Sequence, residues 1–214
     1  MDRITLENVS KQIKGVEILT EINQEFKSGR IYGLCGYNGS GKTMLLRMMA
    51  GLIRPSSGRV IVDGKTLHKD IDFPESIGAL IENPSFLNPY SGYKNLEILQ
   101  SLYKEPDPDE IMLALERVGL SGQKDIKYGQ YSLGMKQKLG IAFAILETPD
   151  IIVLDEPINA LDEESVAIIR ETLFSIRDEG KIIIIACHDR EEMDYLSDKV
   201  YIMKDGRIIE EESI

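Results

Sequence analysis

The chain has 214 residues, of which 43% are hydrophobic and 29% charged, an ordinary globular composition that excludes a disordered chain. Its formal net charge of −11 argues against a duplex nucleic-acid binder, which needs a basic face to displace counterions. The longest apolar run, 139–146, is eight residues even with glycine counted. A bilayer span needs roughly 20, and the N-terminus has no apolar signal-peptide core. A soluble chain that stays where it is made is therefore expected.

In chain order, alternation at 4–9 and 16–22 predicts short antiparallel strands. Residues 31–34 read as a short buried strand running into Gly36. Residues 42–50 are helix-like, ended by Gly51 and Pro55. A strand at 59–62 is turned by Asp63-Gly64, and another follows at 77–81. From 84 to 131 the pattern is helical with Pro, Gly and Asn punctuation. Asp107 caps a helix that has Pro108 in its first position and Gly119 at its end. Ser132 starts a further helix that turns apolar by 141–146 and is therefore buried. Beyond Pro149 strands and helices alternate: 151–154, 162–177, 182–186, 190–196, 200–203 and 207–210. Apolar strands alternating with helices predict a mostly parallel sheet covered on both faces. Cys35 and Cys187 have no metal-type spacing and read as small buried residues at strand ends.

The strand at 31–34 leads into Gly36-Tyr37-Asn38-Gly39-Ser40-Gly41-Lys42-Thr43, which fits the phosphate-loop pattern at every fixed position. Glycines let backbone N–H groups close around phosphate oxygens, and the helix that follows favours an anion at its N-terminus. Lys42 supplies a cation for the β- and γ-phosphates, and Thr43 a hydroxyl for magnesium. Such a loop alone does not separate kinases, GTPases and motor-type ATPases. The apolar strand 151–154 ends in Asp155-Glu156, stopped by Pro157. Ligands of open α/β sheets lie at that edge. Asp155 can hold magnesium, and Glu156 can reach a water in line with the γ-phosphate, which points to hydrolysis.

Tyr131-Ser132-Leu133-Gly134-Met135 is a second helix start able to bind an anion. With a helical insert before it and His188 after a later strand, the whole chain resembles the ATP-binding cassette ATPases. Residues 132–135 are similar to the family signature Leu-Ser-Gly-Gly-Gln, with Tyr131, Leu133 and Met135 as departures. Ala160-Leu161-Asp162 resembles the loop where two subunits touch.

The resemblance implies a fold: an α/β P-loop NTPase core with a mostly parallel sheet, an N-terminal antiparallel β region and a helical insert carrying the signature. One domain of 1–214 is implied, with 1–83 and 148–214 as core and 84–147 as insert. It implies ATP and Mg²⁺ as ligands, Glu156 and His188 as catalytic residues, and Thr43, Asp155 and Glu82 as metal ligands. Glu82 stands where the family has glutamine. Ser132 and the Gly134 backbone would close on ATP held by a second cassette, identical or not. Ile13 falls where the family stacks an aromatic ring on adenine, with Tyr37 as the alternative.

Transmembrane permease subunits, a place at the cytoplasmic face of the membrane through them, and no nucleic acid are implied. The variant signature with Glu82 resembles exporters of peptides, antibiotics or lipids, including bacitracin- and lantibiotic-resistance types. A repair or translation cassette is the competing reading. Only residues 44–131 separate loop from signature, with no long heptad run, and one cassette is present. The guanine-reading Asn-Lys-x-Asp of GTPases is absent.

Overall fold

A computed structural model describes residues 3–214. The N-terminal strands are longer than the expected short ones: β1 (Arg3–Ile13) and β2 (Val16–Lys27) form one antiparallel hairpin. Bulges interrupt it, and Asn8 and Glu21 take positive φ, so the alternation looks broken where the strand in fact continues. After β3 (Arg30–Cys35) comes α1 (Lys42–Met49), then β4 (Ser57–Val62) and β5 (Lys65–Thr66). Asp63 and Gly64 both have positive φ, as the two-residue turn between β4 and β5 requires. The next strand, β6 (Ile77–Leu80), stops one residue short of the expected end.

Residues 84–131 are less helical than their pattern suggested. Only α2 (Gly92–Gln100) and α3 (Pro108–Arg117) are α-helical, with single 3₁₀ turns at Ser121–Gln123 and Tyr128–Gln130. Prolines 84, 89 and 106 and glycines 119, 122 and 129 break the ladder between them. Asp107 caps α3 through the amides of Asp109 and Glu110, as expected. The signature helix is α4 (Leu133–Ile145). The remainder is β7 (Ile151–Asp155), α5 (Glu163–Asp178), β8 (Ile182–Cys187), α6 (Arg190–Leu196), β9 (Lys199–Lys204) and β10 (Arg207–Ser213).

Among the described residues the strands form two sheets. One is antiparallel, in the order β2-β1-β4-β5. The other runs β10-β9-β3-β8-β7-β6, parallel throughout except for the β9–β10 hairpin. The central strands of the second sheet are buried on both faces. Ile151, Val153, Ile182, Ile184 and Ala186 pack with α1 and the antiparallel sheet. Ile152, Leu154, Ile183, Ile185 and Cys187 pack with α3–α6. Burial on both faces explains the unbroken apolar runs.

The α4 helix lies close against β6 because both lack side chains at the contact. A Cβ on Gly140 would come within 2.9 Å of Leu80, and one on Gly78 within 1.7 Å of the Ala144 carbonyl oxygen. This contact fixes the signature helix to the sheet. Gly78→Ala is therefore expected to destabilise the protein by about 1–3 kcal/mol or more, read as a lower midpoint in denaturant unfolding. A wild-type midpoint would mean that β6 and α4 are not packed this closely.

Candidate nucleotide site and its supporting helix

Three adjacent parallel strands deliver the site. Cys35 of β3 lies opposite Cys187 of β8, and Asp155 of β7 opposite Ala186. The residues that follow, Gly36, His188 and Glu156, thus leave the sheet at one edge. This is the carboxyl end, where open α/β sheets bind ligands.

The loop 36–41 opens α1 with an N-terminus that has no side-chain cap. The starts of α2, α3, α4, α5 and α6 are capped by Ser91, Asp107, Ser132, Asp162 and Asp189. Uncapped first-turn amides are donors available to an anion. Gly39 and Gly41 have φ of +85° and +105°, a region that costs other residues. The buried Ser40 hydroxyl has no protein partner, and Lys42 donates to the carbonyls of Gly36 at 2.5 Å and Tyr37 at 3.3 Å. An orphaned hydroxyl, uncapped amides and a lysine within the loop fit a bound phosphate chain.

A cavity of about 400 Å³ lies over this loop. Its walls include Asn38, Gly39, Ser40, Gly41, Lys42, Thr43, Asp155 and Glu156, and also Ile18. The expected base contact is Ile13. It sits at the end of β1 beside the Lys14-Gly15 turn and is 41% exposed, and it does not line this cavity. Ile18 on β2 and Met44 on α1 are the apolar residues that do, and the Ile18 carbonyl packs against Gly41 and Gly206. Strand alternation in the sequence could not reveal this, because the contact crosses from one sheet to the other. Tyr37 is exposed at the loop tip.

The Thr43 hydroxyl donates to the Asp155 carboxylate at 2.6 Å. Burial pushes the Asp155 carboxyl up from its ordinary value. The Thr43 bond opposes this, Glu156 and Glu82 add to it, and Lys42 subtracts. Glu82, with φ +66°, pairs with Arg47 of α1. It lines a second cavity with Asn83, Leu133, Gln137, Asp155, Glu156, Asn159 and Ala160. Thr43, Asp155 and Glu82 are oxygen donors, a set that suits a hard divalent cation.

Glu156 has φ +49°, a conformation that costs a residue with a side chain about 1 kcal/mol. Two elements hold it there. Its amide donates to the Ala186 carbonyl at 2.8 Å. The Gln137 side-chain amide, from α4, donates to the Glu156 carbonyl at 3.0 Å and to that of Pro157 at 3.2 Å. Gln137 was not singled out in the sequence; the available signal was a polar residue one turn before a wholly apolar helical stretch. His188 Nδ1 lies 2.9 and 3.0 Å from the Glu156 oxygens. An ionised carboxylate only accepts, so Nδ1 carries the proton in this pair.

Ser132 and Gly134 line neither cavity. Ser132 caps its own helix through the Met135 amide, and Gly134 packs against the Ala160 carbonyl. Of the signature departures, Tyr131 is structural. Its ring is buried over Gly92 and its hydroxyl donates to the Gln123 carbonyl at 3.0 Å. Leu133 is 67% exposed, and Met135 packs on the insert core.

The raised Asp155 carboxyl has a consequence for stability. The folded state holds the proton more tightly than the unfolded chain, so the charge present at neutral pH works against folding. Asp155→Asn removes that charge and keeps an oxygen for Thr43. It is expected to raise the melting temperature of the nucleotide-free protein. An unchanged or lower value in thermal unfolding would refute this account of Asp155.

Comparison with known proteins agrees with this geometry. The family model for ABC transporters matches residues 19–159. The chain is 44% identical over 207 residues to the ABC transporter ATP-binding protein YybJ of Bacillus subtilis, covering 97% of this chain and 95% of that one. It is 39% identical to the bacitracin transport ATP-binding protein BcrA of Enterococcus faecalis, over 99% and 69% of the two chains. With the lantibiotic transport ATP-binding protein SrtF of Streptococcus pyogenes it shares 32% over 96% and 89%. Among solved structures, a dimeric ATP-binding cassette in a post-hydrolysis state with ADP and phosphate superposes with a TM-score of 0.87 at 23% identity, covering 98% of each chain. Among the described residues no helix is long and apolar enough to cross a membrane. The chain belongs to the ABC transporter family as an ATP-binding and ATP-hydrolysing subunit.

Proposed function

We propose that this ATPase drives export of a peptide, antibiotic or lipid through separate membrane-spanning subunits, working as one cassette of residues 1–214 with 84–147 as its insert. The relatives named for bacitracin and lantibiotic transport support the cargo class. Permease subunits would hold it at the cytoplasmic face of the membrane.

The observation that carries the site assignment is the Asp155–Thr43 pair, 2.6 Å apart beside the phosphate loop, with Glu156 next in the chain. In this reading the amides of residues 36–43, the Ser40 hydroxyl and Lys42 bind the phosphates of ATP. Thr43 and Asp155 would hold Mg²⁺, with Glu82 near enough to contribute once it leaves Arg47. The ion, when bound, supplies charge for the β- and γ-phosphate oxygens. Glu156 accepts a proton from the attacking water. His188, held beside Glu156, meets a γ-phosphate oxygen by donating a ring N–H. Ser132 and the Gly134 amide, which line neither cavity beside this chain's own loop, close on ATP bound by a second cassette.

Glu156→Gln is expected to keep ATP binding and lower hydrolysis by roughly 10²- to 10⁴-fold, and to dimerise with ATP but not ADP. Ser132→Arg added to it should prevent that dimer. Phosphate release and sizing with each nucleotide are the measurements. Full turnover in the Gln variant removes Glu156 as the base, and phosphate on an acceptor would indicate a kinase.

Gln137 is a positioning residue in this scheme, because its side-chain amide is engaged by the carbonyls of Glu156 and Pro157. Gln137→Ala should lower kcat by about 10- to 100-fold while KM for ATP stays nearly unchanged. A loss confined to KM, or none, would leave Gln137 with a packing role only.

A further inference from the structure

Cys187 is a nucleophilic group at the site edge that hydrolysis does not use. It ends β8, one residue before His188. The β7–β8 register sets Asp155 opposite Ala186, so Glu156 falls beside Cys187. The Cys187 sulfur, a His188 ring nitrogen and a Glu156 carboxylate oxygen all lie within 4.8 Å of one another, the only such trio among the described residues.

We propose that Glu156, Cys187 and His188 form a binding site for a thiophilic divalent cation of the Zn²⁺ class. A tetrahedral zinc ion with one sulfur, one imidazole and one carboxylate ligand separates those atoms by roughly 3.4–3.6 Å. The Nδ1–carboxylate contacts of 2.9 and 3.0 Å need to open by about half an ångström to reach that spacing. His188 has room for it, with a side chain 61% exposed against 26% for Glu156. Cys187 is 1% exposed, and the ion reaches its sulfur past these two groups. Three protein ligands leave the fourth position to water, as in open zinc sites.

The donor set separates this ion from magnesium. Mg²⁺ takes oxygen ligands in an octahedron, which the Thr43–Asp155 pair offers and Cys187 does not. Sulfur with imidazole favours Zn²⁺ and Co²⁺. Burial pushes the Cys187 thiol up to about 12, so without the ion it is a protonated, unreactive thiol. On binding, the S–H proton leaves to solvent and a metal–sulfur bond replaces it, while the His188 proton passes from Nδ1 to Nε2 and frees the Nδ1 lone pair for the ion. The Asp189 amide, which donates to this sulfur at 3.4 Å, supports the thiolate that results.

The consequence rests on the roles given above to Glu156 and His188. With both held by the ion, the phosphate loop still binds ATP but hydrolysis stops.

The test reads the metal directly. The full chain is titrated with Co²⁺ without nucleotide and then with Zn²⁺. One equivalent of Co²⁺ should give tetrahedral d–d bands and a thiolate-to-cobalt charge-transfer band, which Zn²⁺ abolishes. Cys35→Ser, altered at the buried register partner of Cys187, should keep the bands. Cys187→Ser should lose the charge-transfer band, and His188→Gln, altered at an exposed side chain, should weaken binding by roughly tenfold or more. Absence of the charge-transfer band in the unaltered chain, or its survival in Cys187→Ser, overturns the proposal. Zn²⁺ inhibition of ATP turnover is read separately. Metal binding without inhibition would keep the site and remove the roles assigned to Glu156 and His188.

Discussion

The site depends on the register of three neighbouring parallel strands. Pairing Cys35 with Cys187 and Asp155 with Ala186 fixes where each chain leaves the sheet. The phosphate loop, the Asp155-Glu156 pair and His188 then meet at one edge although the loop is more than a hundred residues from the other two in sequence. A slip of one residue in β7 would turn Asp155 to the opposite face and bury Glu156 in the core. The isoleucine-rich faces of β7 and β8 forbid that slip, since every position on both faces is packed. Core burial and catalytic geometry are one constraint here.

The second dependence is on α4. Gly78 and Gly140 let this helix approach β6 closely, and that approach brings the Gln137 side chain to the carbonyls of Glu156 and Pro157. The same helix presents Ser132 and Gly134 at its N-terminus. One rigid body therefore carries both the surface expected to meet a second cassette and the support of the hydrolytic carboxylate. A shift of α4 on partner binding would be felt at Glu156 through two hydrogen bonds. Tyr131, a departure from the family signature, is absorbed by the insert core over Gly92, so it leaves the outward residues of the signature unaffected.

The site also stores unfavourable terms that the rest of the fold tolerates. Asp155 is a buried carboxylate with two other acidic residues near it. Glu156 holds a left-handed backbone, and Ser40 has an unpartnered hydroxyl. Each is poor for the empty protein and useful for a phosphate chain with its cation. Local rules broken together at one sheet edge mark a functional site.

The sequence by itself determined the elements whose causes are local. The phosphate loop, the caps Asp107 and Ser132, the Asp63-Gly64 turn and the buried strands 151–154 and 182–186 were legible, because glycine φ, capping oxygens and apolar runs act over a few residues. It also named Asp155 and Glu156, since they end an apolar strand at the edge where ligands bind, and His188 through the family resemblance. Tertiary structure alone decided the rest. Bulges at Asn8 and Glu21 hid the length of β1 and β2, and prolines reduced the insert to two short α-helices before α4. Ile18 lines the cavity over the loop and Ile13 does not, because tertiary packing sets which residues of the β1–β2 hairpin meet Gly41. Gln137 reaches Glu156, Arg47 pairs with Glu82, and Cys187 joins Glu156 and His188 through contacts that no sequence spacing encodes, since they are fixed by strand register and by how closely α4 can approach β6.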